Sequence, residues 1–350
     1  MILIINSGST SLKYKLFTKE LEEKKCGKFE IGKEIKDHKH AIRLTLREIG
    51  NLEQIKKIGH RIVHGGLKFT KTLLVNKKIV QDLEKLSFLA PLHNPANLAG
   101  IKACLEYLPK VKNLAVFDTA FFSVLPKIAY TYALPKDLIK AEKIRRFGFH
   151  GISHQYASEE AARKLKKPVH RVNLIICHLG GGSSISAIKK GQPIDTSMGF
   201  TPMEGLVMLT RSGDLDPGII FYLLKQNLKE TKTHKACLDK IDELYNLLNY
   251  QSGLYGLSAC KTYLDLLNNL DRPQAQFAFN LFVYRIKKYI GAYLAILGKI
   301  DAIVFTGQIG AGVSRTRQAI LQNMPLLKGV KRLWFETNEE MMIAKEVNKK

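Results

Sequence analysis

The sequence predicts an α/β protein made of two copies of one mixed unit, and three observations lead to this prediction. Two segments that lie half a chain apart, residues 3–17 and 174–188, each run from an apolar strand through a Gly/Ser turn into an alternating strand. After each hairpin, helix and strand patterns alternate without low-complexity linkers. With 350 residues, the chain is long enough for two domains that each have a core. We therefore expect two mixed sheets flanked by helices, with an active-site cleft between the two domains.

The first half of the chain continues from its hairpin with strands and helices of ordinary length. Asn94 and Pro95 form a helix start signal, and Asp118 follows an apolar strand. The predicted elements are a third strand near 26–33, a helix at 40–46, a strand at 55–63, helices near 81–89 and 95–108, and a buried strand at 113–117.

The second half repeats this alternation. A helix is predicted over residues 153–165, with Ser153 as its N-cap, ahead of the second hairpin. Beyond that hairpin the pattern predicts helices at 217–226, 235–248 and 274–297 and a strand at 302–306.

The composition excludes several classes of protein. Apolar residues make up 45% of the chain and charged residues 25%, which is ordinary for a folded globular protein. The longest apolar runs have the length of a strand and are too short to cross a bilayer. Met1 leads directly into a core strand, so we expect no signal peptide. The five cysteines are scattered without the paired spacing of a metal site, which favours reduced thiols in the cytoplasm.

The net charge of +24 comes mostly from lysines spread along the chain. A sequence isoelectric point near 9.7 is also found in nucleic-acid-binding proteins, but no arginine-rich stripe or interleaved aromatic series accompanies it here. We therefore expect a solvated lysine surface that attracts anionic substrates, and no specific nucleic-acid partner and no membrane partner.

The turns of the two hairpins are candidate anion-binding loops. Glycine and hydroxyl residues expose backbone N–H groups and Oγ atoms without side-chain bulk, which suits phosphate binding. In either loop alone, these residues are more simply explained as parts of a tight turn. Their occurrence at corresponding places in both halves favours two loops that together bind a polyphosphate.

Polar residues near the ends of predicted strands are candidate ligands. Arg61 and His64 precede a Gly-Gly turn, and the fork of an arginine suits a carboxylate or phosphate, although a surface arginine is an equal alternative. Asp118 lies where α/β enzymes place metal-binding or orienting carboxylates, although a turn or cap role is more common. His93 lies between prolines in a rigid turn that a helix entry explains equally well.

Two later segments have compositions that a packed core does not explain. Residues 145–154 contain two arginines, two histidines and two glycines, which suits contacts with anions. Residues 195–216 have little periodicity but carry Arg211 together with hydroxyl and acidic residues. We interpret this second segment as an active-site loop, with Arg211 as its strongest cationic candidate.

A series of motifs runs through almost the whole chain. In order, they are NSGSTSLK, GHRIVHGG, APLHNPANLAGI, FDTAFF, RRFGFHGISH, HLGGGSS, DTSMGFTPMEGL, TRSGDLDPG, QSGLYGLS and TNEEMMIA. In this order the series resembles the acetokinase family, a member of the acetate and sugar kinase, Hsp70 and actin superfamily. The resemblance implies two ribonuclease-H-like domains, residues 1–150 joined by a C-terminal helix at 340–350, and residues 151–339. It also implies a homodimer joined through the second domain, and Mg²⁺- or Mn²⁺-dependent phosphoryl transfer between ATP and acetate to give acetyl phosphate.

The same resemblance implies a role for each matching position. Asp118, His150 and Arg211 match catalytic residues, and Asn6 and Glu339 match the residues at the metal, with Glu340 left open as an alternative to Glu339. Acceptor binding is implied for Arg61 and His93 and for an acyl pocket of Val63, Leu92, Phe149 and Pro202. Phosphate and nucleotide binding is implied for Ser9, Ser11, Lys13, His178, Leu179, Gly180, Gly181, Gly182, Gln308, Ile309, Gly310, Ala311 and Gly312.

The departures from the family pattern lie around the nucleotide. Gly181 stands where the family motif HLGNG has asparagine, and residues 308–312 replace a GIGEN-like turn. Residues 259–262 replace the adenosine loop, and the segment between Leu327 and Trp334 is shortened. We therefore keep two donors open: ATP held through its phosphates, or a smaller phosphate such as pyrophosphate. Propionate as the acceptor and a catalytically silent, metabolite-binding relative are further alternatives.

Overall fold

The structure is a computed structural model, which describes residues 1–32, 35–91, 93–228 and 233–350. The chain divides into two compact units. Unit 1 comprises Met1–Val124, Phe147–Tyr156 and Thr337–Lys350, and unit 2 comprises Leu125–Arg146 and Ala157–Glu336. The C-terminal segment therefore belongs to unit 1, whereas residues 125–146, which the sequence analysis assigned to the first domain, group with unit 2.

Each unit is built on one mixed sheet of the described residues. The strands are β1 (Ile2–Ser7), β2 (Ser11–Phe17), β3 (Glu23–Glu30), β4 (Lys57–Ile62), β5 (Leu73–Leu74), β6 (Lys112–Phe117), β7 (Leu174–Leu179), β8 (Ser183–Lys189), β9 (Gln192–Thr196), β10 (Ala302–Thr306) and β11 (Lys331–Trp334). The strand order is β3-β2-β1-β4-β6-β5 in unit 1 and β11-β10-β7-β8-β9 in unit 2. In unit 1, β1, β2 and β3 are antiparallel, β4 and β6 add in parallel, and the edge strand β5 pairs antiparallel with β6. In unit 2, β7, β8 and β9 are antiparallel, and β10 and β11 add in parallel.

The helices connect and cover these strands. They are α1 (His38–Ile49), α2 (Lys77–Glu84), α3 (Asn94–Tyr107), α4 (Lys127–Tyr130), α5 (Lys136–Glu142), α6 (Gly151–Lys164), α7 (Pro217–Leu228), α8 (His234–Tyr250), α9 (Gly253–Ser258), α10 (Tyr263–Asn268), α11 (Pro273–Leu297), α12 (Gly307–Gly312), α13 (Ser314–Leu321) and α14 (Glu339–Asn348).

The core of unit 1 follows from the alternation of side chains along β1. Leu3 and Ile5 belong to an apolar cluster with residues of α1 and α3, whereas Ile2 and Ile4 belong to a cluster with residues of α14. Successive side chains of a strand point to opposite faces, so both faces of this sheet are covered. The C-terminal helix is thereby part of the unit's core.

The core of unit 2 is centred on α11, a 25-residue helix packed on the sheet. Phe282 of α11 and Phe305 of β10 lie in one buried cluster, together with Cys177 of β7. Every residue of β7 and β10 is buried. Continuous burial is typical of strands covered on both faces, and their carboxyl ends are therefore held rigidly.

The fold class and both hairpins are confirmed. The N-cap prediction for Ser153 is wrong, because α6 begins at Gly151 and the Ser153 Oγ instead donates to Thr337 Oγ1 at 2.9 Å. The helix predicted near 81–89 begins earlier, since Asn76 caps α2 by accepting from the Ile79 N–H at 2.9 Å. The third strand also begins and ends earlier than predicted, and its predicted last residue, Lys33, lies outside the described residues.

Candidate active site

The central feature of unit 1 is an ion pair between the partly exposed Arg61 and the buried Asp118. Arg61 Nη2 donates to Asp118 Oδ2 at 2.6 Å, and Arg61 Nε donates to Oδ1 at 3.3 Å and Oδ2 at 3.2 Å. Asp118 is 1% exposed. A planar guanidinium suits such a two-pronged contact with a carboxylate, and it holds both side chains in one orientation.

Strand topology explains why these two residues meet. Arg61 lies near the end of β4, Asp118 directly follows β6, and these strands are parallel neighbours. The Asp118 N–H continues the ladder by donating to the Ile62 carbonyl at 2.9 Å. β1 is the other parallel neighbour of β4 and brings Asn6 to the same edge. Carboxyl ends of parallel strands are where α/β folds place their ligand sites.

Two glutamates of the C-terminal helix complete this cluster. Glu339 Oε2 lies 3.4 Å from Arg61 Nη1, and Glu340 Oε1 accepts from Asn6 Nδ2 at 3.1 Å. The other atom of the Asn6 amide, Oδ1, accepts from Arg61 Nη1 at 3.4 Å. Both glutamates lie in the first turn of α14, where negative charge is favoured by the helix dipole. The structure thus brings Asn6, Arg61, Asp118 and Glu339 together, as expected if they act as one site.

The protonation equilibria of the pair reflect burial and mutual attraction. Burial raises the pKa of Asp118, the nearby charge of Glu339 adds to this effect, and Arg61 opposes it. Burial alone would lower the pKa of Arg61, but Asp118 and the two glutamates outweigh it, so its pKa is raised. Arg61 therefore stays charged.

The first Gly/Ser loop is closed by backbone and side-chain hydrogen bonds. The Gly8 N–H donates to the Ser11 carbonyl at 2.7 Å. The Gly8 carbonyl accepts from His38 Nε2 at 2.7 Å. Ser9 and Lys13 are exposed and stay available to a ligand. His38 was missed by the sequence analysis; its only local signal is its place after Asp37, the N-cap of α1.

The start of α6 lies directly against Asp118. A side chain on Gly151 would overlap the Asp118 carbonyl, so this glycine is required for the close approach. His150, just before it, has φ of 57° in the left-handed region, which a non-glycine residue adopts at a cost. This backbone conformation is that of a predicted catalytic residue, which directly precedes the glycine packed on Asp118.

Two of the predicted acceptor residues of unit 1 are neighbours of His64: Val63 precedes it in the chain, and Phe149 contacts its ring. His64 Nδ1 accepts from the Gly66 N–H at 2.9 Å, and the ring makes edge contacts with Phe147 and Phe149 at 4.5 and 5.4 Å between centroids. Burial lowers the pKa of His64 to about 4, so the ring is neutral. The Val63 N–H donates to Asn97 Oδ1 at 3.0 Å.

The other two predicted acceptor residues of this unit differ in what the structure shows. His93 precedes α3, and its carbonyl accepts from the Asn97 N–H at 3.0 Å, as in the helix-entry alternative. Leu92 lies outside the described residues.

The second Gly/Ser loop, Gly180 to Gly182, joins β7 and β8 in unit 2. Ser183 Oγ donates to the Gly180 carbonyl at 3.1 Å, and the Gly181 carbonyl accepts from the Leu209 N–H at 3.2 Å. A Cβ atom added to Gly181 meets nothing within 4 Å. Of the neighbouring predicted positions, His178 and Leu179 are buried.

The segment that replaces the family's GIGEN-like turn, residues 308–312, forms most of α12. Gln308 is exposed in its first turn, Ile309 and Gly310 are buried, and Ala311 and Gly312 end the helix. Arg317 Nη1 donates to the Gly310 carbonyl at 2.9 Å and to the Ala311 carbonyl at 2.6 Å. The altered sequence therefore forms an ordered helix at the end of β10.

Residues 259–262, which replace the family's adenosine loop, form the end of one helix and the start of the next. Ala259 ends α9 with φ of 59°, Cys260 is buried, and Thr262 caps α10 by accepting from the Asp265 N–H at 3.0 Å. These residues serve two helix ends, which explains their identities without a nucleotide.

Arg211 lies in the irregular segment that follows β9, as the sequence analysis expected of an active-site loop. Backbone hydrogen bonds fix this loop: the Met208 carbonyl accepts from Leu254 at 3.0 Å and the Thr210 carbonyl from Ser252 at 3.1 Å. Gly253 has φ of 63° and no room for a side chain beside Met208. The motif QSGLYGLS, residues 251–258, thus supports the loop that carries Arg211.

The described part of the chain holds no group of three or more His, Cys, Asp or Glu residues suited to a metal ion. None of its helices is long and apolar enough to cross a membrane. A divalent ion here would need the carboxylate and amide oxygens of Glu339 and Asn6 together with substrate phosphate, which is a donor set that Mg²⁺ accepts.

Sequence comparison decides the family. The model described as "Acetokinase family" matches residues 20–347. The chain belongs to the acetokinase family. It is 41% identical to the acetate kinase of Thermoanaerobacterium thermosaccharolyticum, over 99% of this chain and 98% of that protein. Membership confirms the predicted class of enzyme, a phosphotransferase with a carboxyl group as acceptor.

Structural comparison agrees with membership of the acetokinase family. The acetate kinase of Porphyromonas gingivalis superposes with a TM-score of 0.86 at 33% identity, over 99% of this chain and 98% of that chain. A propionate kinase from Francisella tularensis superposes with a TM-score of 0.87 at 34% identity, over 99% of each chain. The predicted fold of this acetokinase is thereby confirmed in both units.

Proposed function

We propose that this acetokinase transfers a phosphoryl group between a phosphate donor and acetate, forming acetyl phosphate reversibly with the help of Mg²⁺. The observation that carries the proposal is the Arg61–Asp118 pair with Asn6 and Glu339 around it, in a chain of this family. A catalytically silent relative would not need a buried aspartate paired with an arginine at the end of these strands, because burying a carboxylate is costly.

The chemistry requires positioned cations more than a base. In phosphoryl transfer the protein mainly aligns the reactants and neutralises charge on the moving group. Acetate is already ionised and nucleophilic at neutral pH. Asp118, whose two oxygens both accept from Arg61, therefore orients Arg61 rather than abstracting a proton. Lys13, His150 and Arg211 supply the remaining positive or hydrogen-bonding groups.

Asn6 and Glu339 are the proposed residues at the metal. When bound, Mg²⁺ neutralises charge on the donor phosphates. Glu340 is held by Asn6 Nδ2 and is proposed to orient that amide, which leaves Glu339 as the carboxylate for the ion. Mn²⁺ has similar ligand preferences and is proposed as a substitute.

The phosphate donor is proposed to be ATP held mainly through its phosphates. Gly181 and Gly182 provide backbone N–H groups, whereas the Gly180 N–H donates to Ser183 Oγ at 3.3 Å. The hydroxyls of Ser9 and Ser11 are the corresponding groups of the first loop. A second candidate, pyrophosphate, is favoured by one observation: an exposed Gln308 side chain stands in α12 where the family has glycine. Robust acetyl phosphate formation with ATP at a low KM would exclude pyrophosphate as the required donor.

The acceptor is proposed to be acetate rather than a longer acid. Val63 and Phe149 in unit 1 are medium and large side chains, and such side chains leave space only for a short acyl group. Since a methylene changes binding by only about 1–3 kcal/mol, propionate should remain a slower substrate. A series of acetate, propionate and butyrate tests this order.

Two further features support proposals on assembly and location. Helix α7 has no buried residue, although Ile219, Phe221 and Tyr222 are apolar and Phe221 is 64% exposed. Apolar faces of this kind mark interfaces, so we propose a homodimer in which α7 is covered by a second copy.

All five cysteines are free, which supports a reducing, cytoplasmic location.

The deciding experiment measures acetyl phosphate formation from acetate with purified protein. Activity is expected with ATP or pyrophosphate plus Mg²⁺, and Arg211→Ala is expected to lower kcat by at least about 100-fold, as removal of a charge-stabilising group does. Absence of turnover with either donor and every acid in the series would support the silent, metabolite-binding alternative.

A further inference from the structure

A second polar network, which is partly buried, lies in unit 2. Arg146 Nη1 donates to the carbonyls of Thr196 and Ser197 at 3.1 and 3.0 Å, and its Nη2 donates to Glu204 Oε1. The Tyr132 hydroxyl donates to the other oxygen of the same carboxylate, Glu204 Oε2. Arg146, which the sequence analysis expected to contact anions, is thus engaged within the protein.

Tyr132 also ties together the two ends of a short turn. Its hydroxyl oxygen accepts from the Phe200 N–H at 2.8 Å while it donates to Glu204. One oxygen atom therefore holds both ends of residues 200–204, and Pro202 lies at the midpoint. The Pro202 carbonyl in turn accepts from Arg211 Nη1 at 3.2 Å.

The turn has no room to shift toward the network. A Cβ atom on Gly199 would overlap both the Glu204 carboxylate and the Tyr132 hydroxyl. Close packing of this kind transmits a change at one residue to its neighbours instead of absorbing it. The position of the Pro202 carbonyl is therefore set by Tyr132 and Glu204.

The charges of the network are matched, whereas that of Arg211 is not. Burial opposes the charge of Arg146, but Glu204 outweighs burial and raises the pKa of Arg146. Burial lowers the pKa of Arg211, and among the described residues no carboxylate lies within ion-pair distance of it. Because Glu204 is fully engaged by Arg146 and Tyr132, it does not neutralise Arg211, whose charge remains available to an anionic ligand.

We propose that Tyr132 and Glu204 are positioning residues for Arg211. By fixing the Pro202 carbonyl, they hold the Arg211 guanidinium where it meets the transferred phosphoryl group, and Arg146 keeps Glu204 away from Arg211. The inference rests on the proposed function for the role of Arg211 in transfer. Tyr132 and residues 203–206 (MEGL) thereby have a positioning role, although neither contacts a reactant in the proposed reaction.

A double-mutant cycle tests whether the network acts through Arg211. Tyr132→Phe and Glu204→Gln are each expected to lower kcat about 10- to 100-fold, with the KM for the donor changed less than about threefold. In an Arg211→Ala background, the same changes should cost less than about threefold, since the group they position is gone. Losses that multiply in the double variants would overturn the proposal.

The matched control is Tyr14→Phe, which removes another tyrosine hydroxyl bonded to a glutamate, Glu48, in unit 1. It should leave kcat within about twofold of the parent value. Thermal unfolding of all variants separates positioning from general destabilisation: the kcat losses must persist at temperatures where each variant is fully folded.

A structural readout keeps the test independent of the reaction. Crystal structures of Glu204→Gln and Tyr132→Phe should show the contact between Pro202 O and Arg211 Nη1 broken, with the rest of unit 2 superposing. An unchanged contact in both variants would overturn the proposal even if the enzyme proves active. Lack of turnover in the parent protein would instead count against the proposed function alone.

Discussion

Arg61 Nη2 lies 2.6 Å from Asp118 Oδ2, and this contact joins the ends of two parallel strands in the core of unit 1. Asp118 is almost fully buried, whereas Arg61 is partly exposed. The two partners are therefore unequal: loss of the arginine leaves a buried charge, while loss of the aspartate charge leaves a cation that can reach water.

This asymmetry leads to the first prediction, on Arg61 and Asp118. Arg61→Ala should lower the free energy of unfolding by roughly 3–5 kcal/mol, because Asp118 remains buried without its partner. Asp118→Asn should cost much less stability but lower kcat by about 100-fold or more, since Arg61 loses its orientation. Urea unfolding and initial-rate assays measure the two effects.

The double variant R61A/D118N provides the control for this prediction. Its stability should exceed that of Arg61→Ala because the buried charge of Asp118 is no longer left without a partner, while its activity stays low. Equal stability of the double variant and Arg61→Ala would show that an unpaired charge is not the cause.

The second prediction concerns His38 and the first phosphate loop. His38→Ala removes the hydrogen bond to the Gly8 carbonyl and should raise the KM for the phosphate donor about 5- to 10-fold, which corresponds to one hydrogen bond of roughly 1 kcal/mol. His38→Gln keeps an N–H donor and should recover much of the loss. His40→Ala, on the same helix, is the matched control, and an equal effect there would argue against the loop contact.

The third prediction distinguishes the phosphate donors. Gly181→Asn restores the side chain of the family motif into open space, and so should not lower thermal stability measurably. If ATP is the donor, its KM should fall about 5- to 10-fold, the value of one hydrogen bond. The KM for pyrophosphate should not change. A similar fall in the KM for ATP alone in Gln308→Gly would also support ATP as the donor. Equal changes in the KM for ATP and for pyrophosphate would contradict it.

The fourth prediction concerns acid stability. Burial lowers the pKa of His60 from its ordinary value of 6.5 to about 4, although its hydrogen bond to Asn113 opposes this effect. Between these two pH values the unfolded chain binds more protons than the folded protein, so the free energy of unfolding falls as the pH falls from about 6.5 to 4. His60 should account for roughly 3 kcal/mol of this loss, since a tenfold change in proton affinity is about 1.4 kcal/mol.

Urea unfolding at pH 7, 6, 5 and 4.5 measures that loss. His60→Gln should flatten the pH dependence relative to the parent protein, while replacement of the exposed His170 by Gln should not. Identical profiles for all three proteins would place the acid sensitivity elsewhere.

The fifth prediction concerns the apolar face of α7. Phe221→Glu should shift the sedimentation of the protein from dimer to monomer at micromolar concentration, because it places a charge in the proposed interface. Lys225→Ala on the same helix is the control and should leave the dimer intact. A monomeric parent protein would rule out the interface.

The two hairpins could be predicted from the sequence because each is encoded by neighbouring residues. The family could be predicted because many motifs occur in one order along the chain. Each hairpin combines two strands and a turn in about 15 residues, so its residue pattern is sufficient to predict its structure. The family follows from ten motifs in order. By contrast, α12 was not predicted, since residues 307–312 contain three glycines and no apolar periodicity, and only their place after β10 makes them helical.

The amino-acid sequence alone determined the fold class, the family and most of the candidate residues, including the unequal preservation of the two Gly/Ser loops. Only the tertiary structure decided which of these residues act together. Arg61, Asp118 and Glu339 are separated by 57 or more positions and meet because parallel strands end at one edge and α14 returns to unit 1. The network of Tyr132, Arg146 and Glu204 likewise has no local signal, because its hydrogen bonds join segments that are distant along the chain.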